Sequence, residues 1–154
     1  YEEALKAFES TSMASQTLLF PETISFSPDD FDALLDVLPY LEKIGFKIKK
    51  ENETSIKVEA IPSEMSIGNE KNIIREILDN FLKEQKKYSS FQEGLAAMFA
   101  CKAAIKAGDS LMREEMQELV NRLFSTKHPY YCPHGRPIIV QMSLDELDGR
   151  FERH

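Results

Sequence analysis

The six residues Cys132-Pro133-His134-Gly135-Arg136-Pro137 constrain this chain more than any other stretch. Two prolines fix φ on either side of a glycine that can turn the backbone sharply. A thiol and an imidazole, Cys132 and His134, stand two residues apart across the stiffening Pro133. In an extended segment that pair can turn toward one ion. The same residues also fit a rigid loop with a buried thiol and a surface histidine, and the spacing alone does not choose between the two. Pro137 is expected to open a strand through the β-branched, apolar run Ile138–Met142.

Upstream, helical and extended patterns mix without a regular βαβ repeat, so the chain is expected to be α+β. Tyr1–Phe8 reads as helical. Gln16–Phe26 reads as extended, and Pro21 makes it an edge or bulged strand. Ser27 is a candidate N-cap, Pro28 fits the first helical position, and Asp29 and Asp30 suit the positive end of the dipole. Phe31, Leu34, Leu35, Leu38 and Leu41 then share a face; Pro39 should kink this helix or end it early, and Gly45 marks its far stop. Phe46–Lys50 and Ser55–Ile61 alternate as a hairpin around Glu51–Thr54.

A helix from about Glu70 to Lys87 should bury Ile73, Ile74, Ile77, Leu78 and Phe81, with Lys83–Lys87 as its solvated end. An alanine-rich helix over Phe91–Ala107 invites close approach by another element and places Cys101 in its middle. Met112–Phe124 is a further helix with Met116, Leu119, Val120 and Leu123 inward, and Ser143 caps a last turn at Leu144–Leu147. The charged hairpin region differs in composition from the alanine-rich C-terminal part. Lobe boundaries are therefore expected near Ser89-Ser90 and between Ser10 and Ser15, making residues 15–89 an α/β insertion in a lobe built from residues 1–14 plus 90–154.

With 42% hydrophobic residues the chain can bury a core, and no apolar run is long enough to span a membrane. The formal net charge of −7 argues against tight autonomous DNA binding, which favours a basic surface. A nuclease domain can still be acidic where another domain or a partner delivers the DNA. A single disulfide fits the two cysteines, Cys101 and Cys132, but nothing else points to secretion. A reducing cytoplasm is expected, with both thiols available for metal. A lone helical cysteine is most often a small core hydrophobe; brought near Cys132 and His134, Cys101 would complete a soft ligand set for zinc. His154 follows Phe151, which could anchor the tail and dock the imidazole as a ligand. Gln16-Thr17-Leu18-Leu19-Phe20-Pro21 can plug a pocket on a partner, or serve as an ordinary strand with its apolar side in the core.

Taken in order, these pieces resemble the C-terminal domain of MutL proteins. Cys132–Pro137 matches the family's Cys-Pro-His-Gly-Arg-Pro signature completely. Ala100-Cys101-Lys102 meets its short Ala/Ser-Cys-Arg/Lys helix motif, and Phe151–His154 meets its tail of Phe, a charged residue, Arg and a final residue. Gln16–Pro21 is similar to the family's sliding-clamp contact, with Gln16, Leu19 and Pro21 at the matching positions. Tyr1-Glu2 looks like the end of the family's first metal motif, whose aspartate, histidine and glutamate are expected ahead of Tyr1.

The resemblance implies the homodimerising C-terminal domain of a cytoplasmic DNA mismatch-repair protein that nicks one strand of duplex DNA using divalent ions. Cys101, Cys132 and His134 would be its catalytic metal ligands, for Zn2+ and/or Mn2+, with His154 capping the site and Arg136 orienting the loop or contacting phosphate. Residues 1–14 plus 90–154 would be the dimerisation and endonuclease lobe, and 15–89 the external regulatory lobe. Implied partners are a second copy, the sliding clamp through Gln16, Leu19 and Pro21, duplex DNA held weakly by this domain alone, and a mismatch-recognition protein reached through the full-length protein. Two other readings stay open: a non-catalytic dimerisation and partner-binding module with a structural zinc, and an unrelated zinc-binding regulator that does not dimerise.

Overall fold

A computed structural model of the chain describes residues 1–83 and 90–152. His154, Ser89 of the expected lobe boundary and the Glu84–Lys87 part of the charged run lie outside the described residues. The element order is α1 (Glu2–Glu9), β1 (Ser15–Ser25), α2 (Pro28–Lys43), β2 (Lys47–Lys50), β3 (Ser55–Pro62), α3 (Glu70–Lys83), α4 (Phe91–Ala103), α5 (Arg113–Phe124) and α6 (Leu144–Arg150). These helices and a small antiparallel sheet make the chain α+β, as expected from the sequence. The chain divides into two units, Tyr1–Ala107 and Gly108–His154.

In the first unit the strands lie in the order β1-β3-β2, all antiparallel, so β1 is an edge and β3 the centre. The β2–β3 hairpin turns at Glu51–Thr54, where Asn52 accepts from the Thr54 N–H at 2.9 Å. Ser27 caps α2, accepting from the Asp30 N–H at 3.2 Å, with Pro28 at the first helical position. Pro39 does not end α2 early; the helix runs through it to Lys43. Proline removes one N–H and crowds the carbonyl four residues back. That residue is Leu35, on the exposed side of the helix, while Val37 and Leu41 on either side of Pro39 are fully buried. Burial of such side chains, at about 1.5–3 kcal/mol each, outweighs the lost bond. The buried stripe is thus Phe31, Leu34, Val37 and Leu41, with Leu38 half-buried and Leu35 outside it.

Ile24, Ile56 and Val58 of the sheet meet this stripe together with Ile74, Ile77 and Leu78 of α3. Ala4, Leu95, Ala96 and Phe99 join the same core from α1 and α4. The α1–α4 contact is alanine-lined, with Ala4, Ala7, Ala96 and Ala97 buried, so small residues do permit the close approach expected of α4. Four rings tie the helices together edge to face. Phe8 of α1 lies 5.8 Å from Tyr40 of α2, Tyr40 lies 5.0 Å from Phe91 of α4, and Phe91 lies 4.7 Å from Phe81 of α3. Ser90 caps α4 by accepting from the Glu93 N–H at 3.2 Å. The helix ends at Ala103 rather than Ala107, because Ala104 turns extended (ψ 141°) and the Lys106 ammonium donates to the Cys101 carbonyl, satisfying one of the terminal acceptors.

The second unit departs most from expectation. Met112 opens α5, its N–H donating to Glu115 Oε2 at 2.7 Å. Met116, Leu119 and Val120, expected inward, are all exposed, and no residue of α5 is buried. Ile138–Met142 is not a strand. Among the described residues of this unit the only pairing is the isolated bridge between Tyr131 and Pro137. β-propensity describes fitness for a ladder, and without a partner strand it has nothing to pair with. Ser143 caps α6 as expected, accepting from the Glu146 N–H at 3.1 Å, and the helix extends nearly one turn further than the sequence suggested.

Candidate functional site

The Cys132–Pro137 stretch folds as a tight hairpin loop. Cys132 N–H donates to the Arg136 carbonyl at 2.9 Å, and Gly135 N–H donates to the Cys132 carbonyl at 2.8 Å. Pro133, His134 and Gly135 are therefore a three-residue loop, with Pro133 at the first corner of a turn and Gly135 in the left-handed region at φ +78°. Three-residue loops of this kind call for a residue with positive φ at that last position. A Cβ on Gly135 would meet nothing within 4 Å, so the glycine is required by its conformation and not by space. One turn outward, Ile138 N–H donates to the Tyr130 carbonyl at 2.8 Å and closes the hairpin base. The consequence is chemical: the half-buried Cys132 thiol and the exposed His134 imidazole are carried on the same rigid loop.

Cys101 belongs to the other unit. It lies in the last turn of α4, not its middle, and is exposed where a core position was the simplest expectation for a lone helical cysteine. Neither cysteine is in a disulfide. Among the described residues no three His, Cys, Asp or Glu side chains form a metal-holding group. Sulfur and imidazole donors at Cys132 and His134 suit a borderline-soft ion such as zinc, and they supply two of the four positions such an ion usually takes. His154, the fourth candidate ligand, lies outside the described residues.

The second candidate site is the Gln16–Pro21 segment. Thr17 pairs with Ala60 and Glu22 with Val58, so residues 18–21 of β1 stand opposite the single residue Glu59. Such an insertion is tolerated because β1 is an edge strand and Pro21 has no N–H to offer a ladder. Leu18 at its start remains in the core at 5% exposure, while Leu19 and Phe20 project into solvent at 85% and 84%. Pro21 is also exposed. Gln16 behaves differently. Its side-chain amide donates to the carbonyls of Met65 at 2.5 Å and Pro62 at 3.2 Å, with Ser63 at 3.5 Å. Phe20 belongs to the stretch read as a partner plug, although only Gln16, Leu19 and Pro21 match the family's contact positions. Strict alternation would put it on the same face as the buried Leu18, and only the bulge breaks that parity.

Among the described residues no helix is long and apolar enough to cross a membrane. The MutL C terminal dimerisation domain model matches residues 1–111. The DNA mismatch repair protein MutL of Chloroherpeton thalassium is 38% identical over 99% of this chain, and that of Chlorobaculum tepidum is 34% identical over the same share. The chain spans about a quarter of the length of these relatives, 24% and 25% respectively. With a family model covering well over half of its residues and relatives similar along nearly all of them, the chain belongs to the MutL C-terminal dimerisation domain family.

Proposed function

We propose that this chain is the part of a DNA mismatch-repair protein through which it self-associates, docks on a sliding clamp and nicks one strand of duplex DNA with bound divalent metal. The observation that carries the nicking reading is the Cys132–Arg136 hairpin loop, which holds a thiol and an imidazole in one turn. Cys132 and His134 are the proposed ligand pair, Cys101 the third donor and His154 a capping ligand, with Zn2+ and/or Mn2+ as the ions. When bound, the metal supplies a Lewis acid for the scissile phosphate and a water of lowered pKa. The protein's own contribution is to fix the donors, and Gly135 and Pro133 do that here.

Self-association is supported by the match of residues 1–111 to a dimerisation domain, and the apolar residues exposed in the second unit are proposed as part of its surface. Met116, Leu119 and Val120 recur along α5 at helical spacing, and each is 46–48% exposed. Contiguous exposed apolar surface of this kind marks an interaction site, and the occupant proposed is a second copy of the chain. The discontinuous lobe of residues 1–14 plus 90–154 is the proposed dimerisation and endonuclease part, in keeping with the packing of α1 on α4. Residues 15–89 are the proposed external regulatory part, with Gln16, Leu19 and Pro21 as its proposed contact with the clamp. Duplex DNA and the mismatch-recognition protein are partners of the full-length protein in this reading.

A second reading is a non-catalytic module that dimerises and binds partners around a structural zinc; among the described residues no three His, Cys, Asp or Glu side chains come together as a catalytic metal group. Manganese-dependent nicking of supercoiled plasmid separates the two. The nuclease reading requires it and requires its loss in Cys132→Ala and His134→Ala, whereas the structural reading predicts bound zinc without nicking.

A further inference from the structure

The strand order β1-β3-β2 leaves β2 as the second edge of the sheet, on the far side of β3 from β1. Its four residues are Lys47-Ile48-Lys49-Lys50, and all three lysines are exposed. The Glu51 N–H donates to the Ser55 carbonyl at 3.0 Å and closes the hairpin. By the alternation of an antiparallel ladder, Ile48 and Lys50 therefore turn their main-chain N–H and C=O groups away from β3, toward the open edge. Such a row of groups is a template for another strand.

Lysines on an edge keep it from pairing with a copy of itself. Here they also select by charge. Ile48 packs against the core, and Lys49 beside it takes the opposite face of the strand. Lys49 stands directly opposite Lys57 of β3, a like-charge pair that costs stability. Glu59 relieves Lys49 at 2.9 Å, and among the described residues no acid is paired with Lys57. A groove of about 560 Å³ opens beside the strand. Met13, Phe46 and Ile48 are its apolar lining and Lys47 and Lys49 its cations, against Glu42 and Glu59. The foot of β1 holds one wall in place: Met13 N–H donates to the Lys43 carbonyl at 2.9 Å, and Ser15 Oγ donates to the Gly45 carbonyl at 2.7 Å. A wall fixed in advance loses little conformational freedom on docking.

The geometry points to β2 as a docking edge for an extended acidic segment of a partner protein, which adds as a fourth strand through the main chain of Ile48 and Lys50. Its carboxylates meet Lys47 and Lys49, and the apolar residues alternating with them lie on the Ile48 side and reach the groove. A second copy of the same edge is a poor occupant, because it would set lysine against lysine. Duplex DNA would satisfy the lysines but neither the open main-chain groups nor the apolar lining. This site is separate from the clamp and metal readings above and does not depend on them.

The test measures fluorescence anisotropy of labelled heptapeptides with the full-length protein. The probe alternates glutamate with valine. One control replaces each glutamate by lysine; the other keeps the glutamates and N-methylates the main chain. The glutamate probe should bind about ten-fold or more tightly than either control. Lys47→Glu combined with Lys49→Glu should weaken the glutamate probe about ten-fold or more and make the lysine peptide the tighter ligand. Lys47→Gln with Lys49→Gln, which removes the charge without reversing it, should weaken the glutamate probe several-fold with the circular dichroism spectrum retained. Equal binding by the N-methylated peptide overturns strand addition. A glutamate probe that binds no better than the lysine peptide, or is indifferent to both pairs of substitutions, overturns the site. A short duplex oligonucleotide that displaces the probe, and is itself no longer bound after Lys47→Gln with Lys49→Gln, makes the edge a nucleic-acid contact and overturns the proposal too.

Discussion

A Cβ placed on Gly45 would lie 2.8 Å from the main-chain carbonyl of Ala14. The Pro62 Cα is the next obstacle, at 3.2 Å, and Gly45 itself has φ +105°. Two separate requirements therefore converge on one glycine: a conformation that side chains disfavour and a gap only a hydrogen fits. Gly45→Ala should destabilise the first unit by roughly 2–5 kcal/mol, combining backbone strain with overpacking. Urea unfolding measures the loss. A change under about 1 kcal/mol would contradict the packing described for the foot of β1.

Ser55 presents the opposite case. Its hydroxyl is buried and has no hydrogen-bond partner, although its main-chain carbonyl accepts from Glu51 and Asn52. An unpaired buried hydroxyl costs stability, and replacing it with hydrogen removes that cost. Ser55→Ala should leave stability unchanged or raise it by up to about 1 kcal/mol. Loss of more than that in chemical denaturation would mean the hydroxyl has a partner.

Tyr40 stands between two rings, edge to face with Phe8 and Phe91. Such pairs contribute about 0.5–1.5 kcal/mol each beyond their buried area. Tyr40→Leu keeps apolar volume but removes both pairs, and should lower stability by roughly 1–3 kcal/mol. A double-mutant cycle with Phe91→Leu isolates the coupling between these rings; additive losses would contradict it.

These cases also indicate what could be read from the amino-acid sequence. The caps at Ser27 and Ser143 and the β2–β3 hairpin were legible because the groups that make them lie within a few residues of one another. Ser90 carries the same signal, with Glu93 three residues on, and it too caps a helix. The Cys132–Arg136 loop was legible for the same reason: Pro133 and Gly135 set its turn locally. Ile138–Met142 was misread because a strand is a property of two segments, and composition reports only one. Met116, Leu119 and Val120 show that periodicity identifies an apolar face without saying what covers it. The Gln16–Pro21 stretch was legible as an edge or bulged strand through Pro21, but the outward turn of Phe20 depends on its register against β3, a strand distant in sequence, and so could not be read from β1 alone.

The exposed face of α5 gives a direct test of self-association. Met116→Glu combined with Val120→Glu places charge on two adjacent positions of that face without touching a buried residue. Sedimentation of the double variant should show a dimer shifted to monomer, with the circular dichroism spectrum retained. A dimer of unchanged affinity would place the interface elsewhere and remove this face from the account.

The most direct measurement of the central claim is nicking of supercoiled plasmid by the full-length protein in the presence of manganese, compared with Cys132→Ala, His134→Ala and Gly135→Ala. The hairpin loop predicts that the first two variants lose nicking by about 100-fold or more, and that Gly135→Ala, which keeps both donors but opposes φ +78°, loses it in part. Nicking at the parent rate by Cys132→Ala or His134→Ala would contradict a metal site built on this loop.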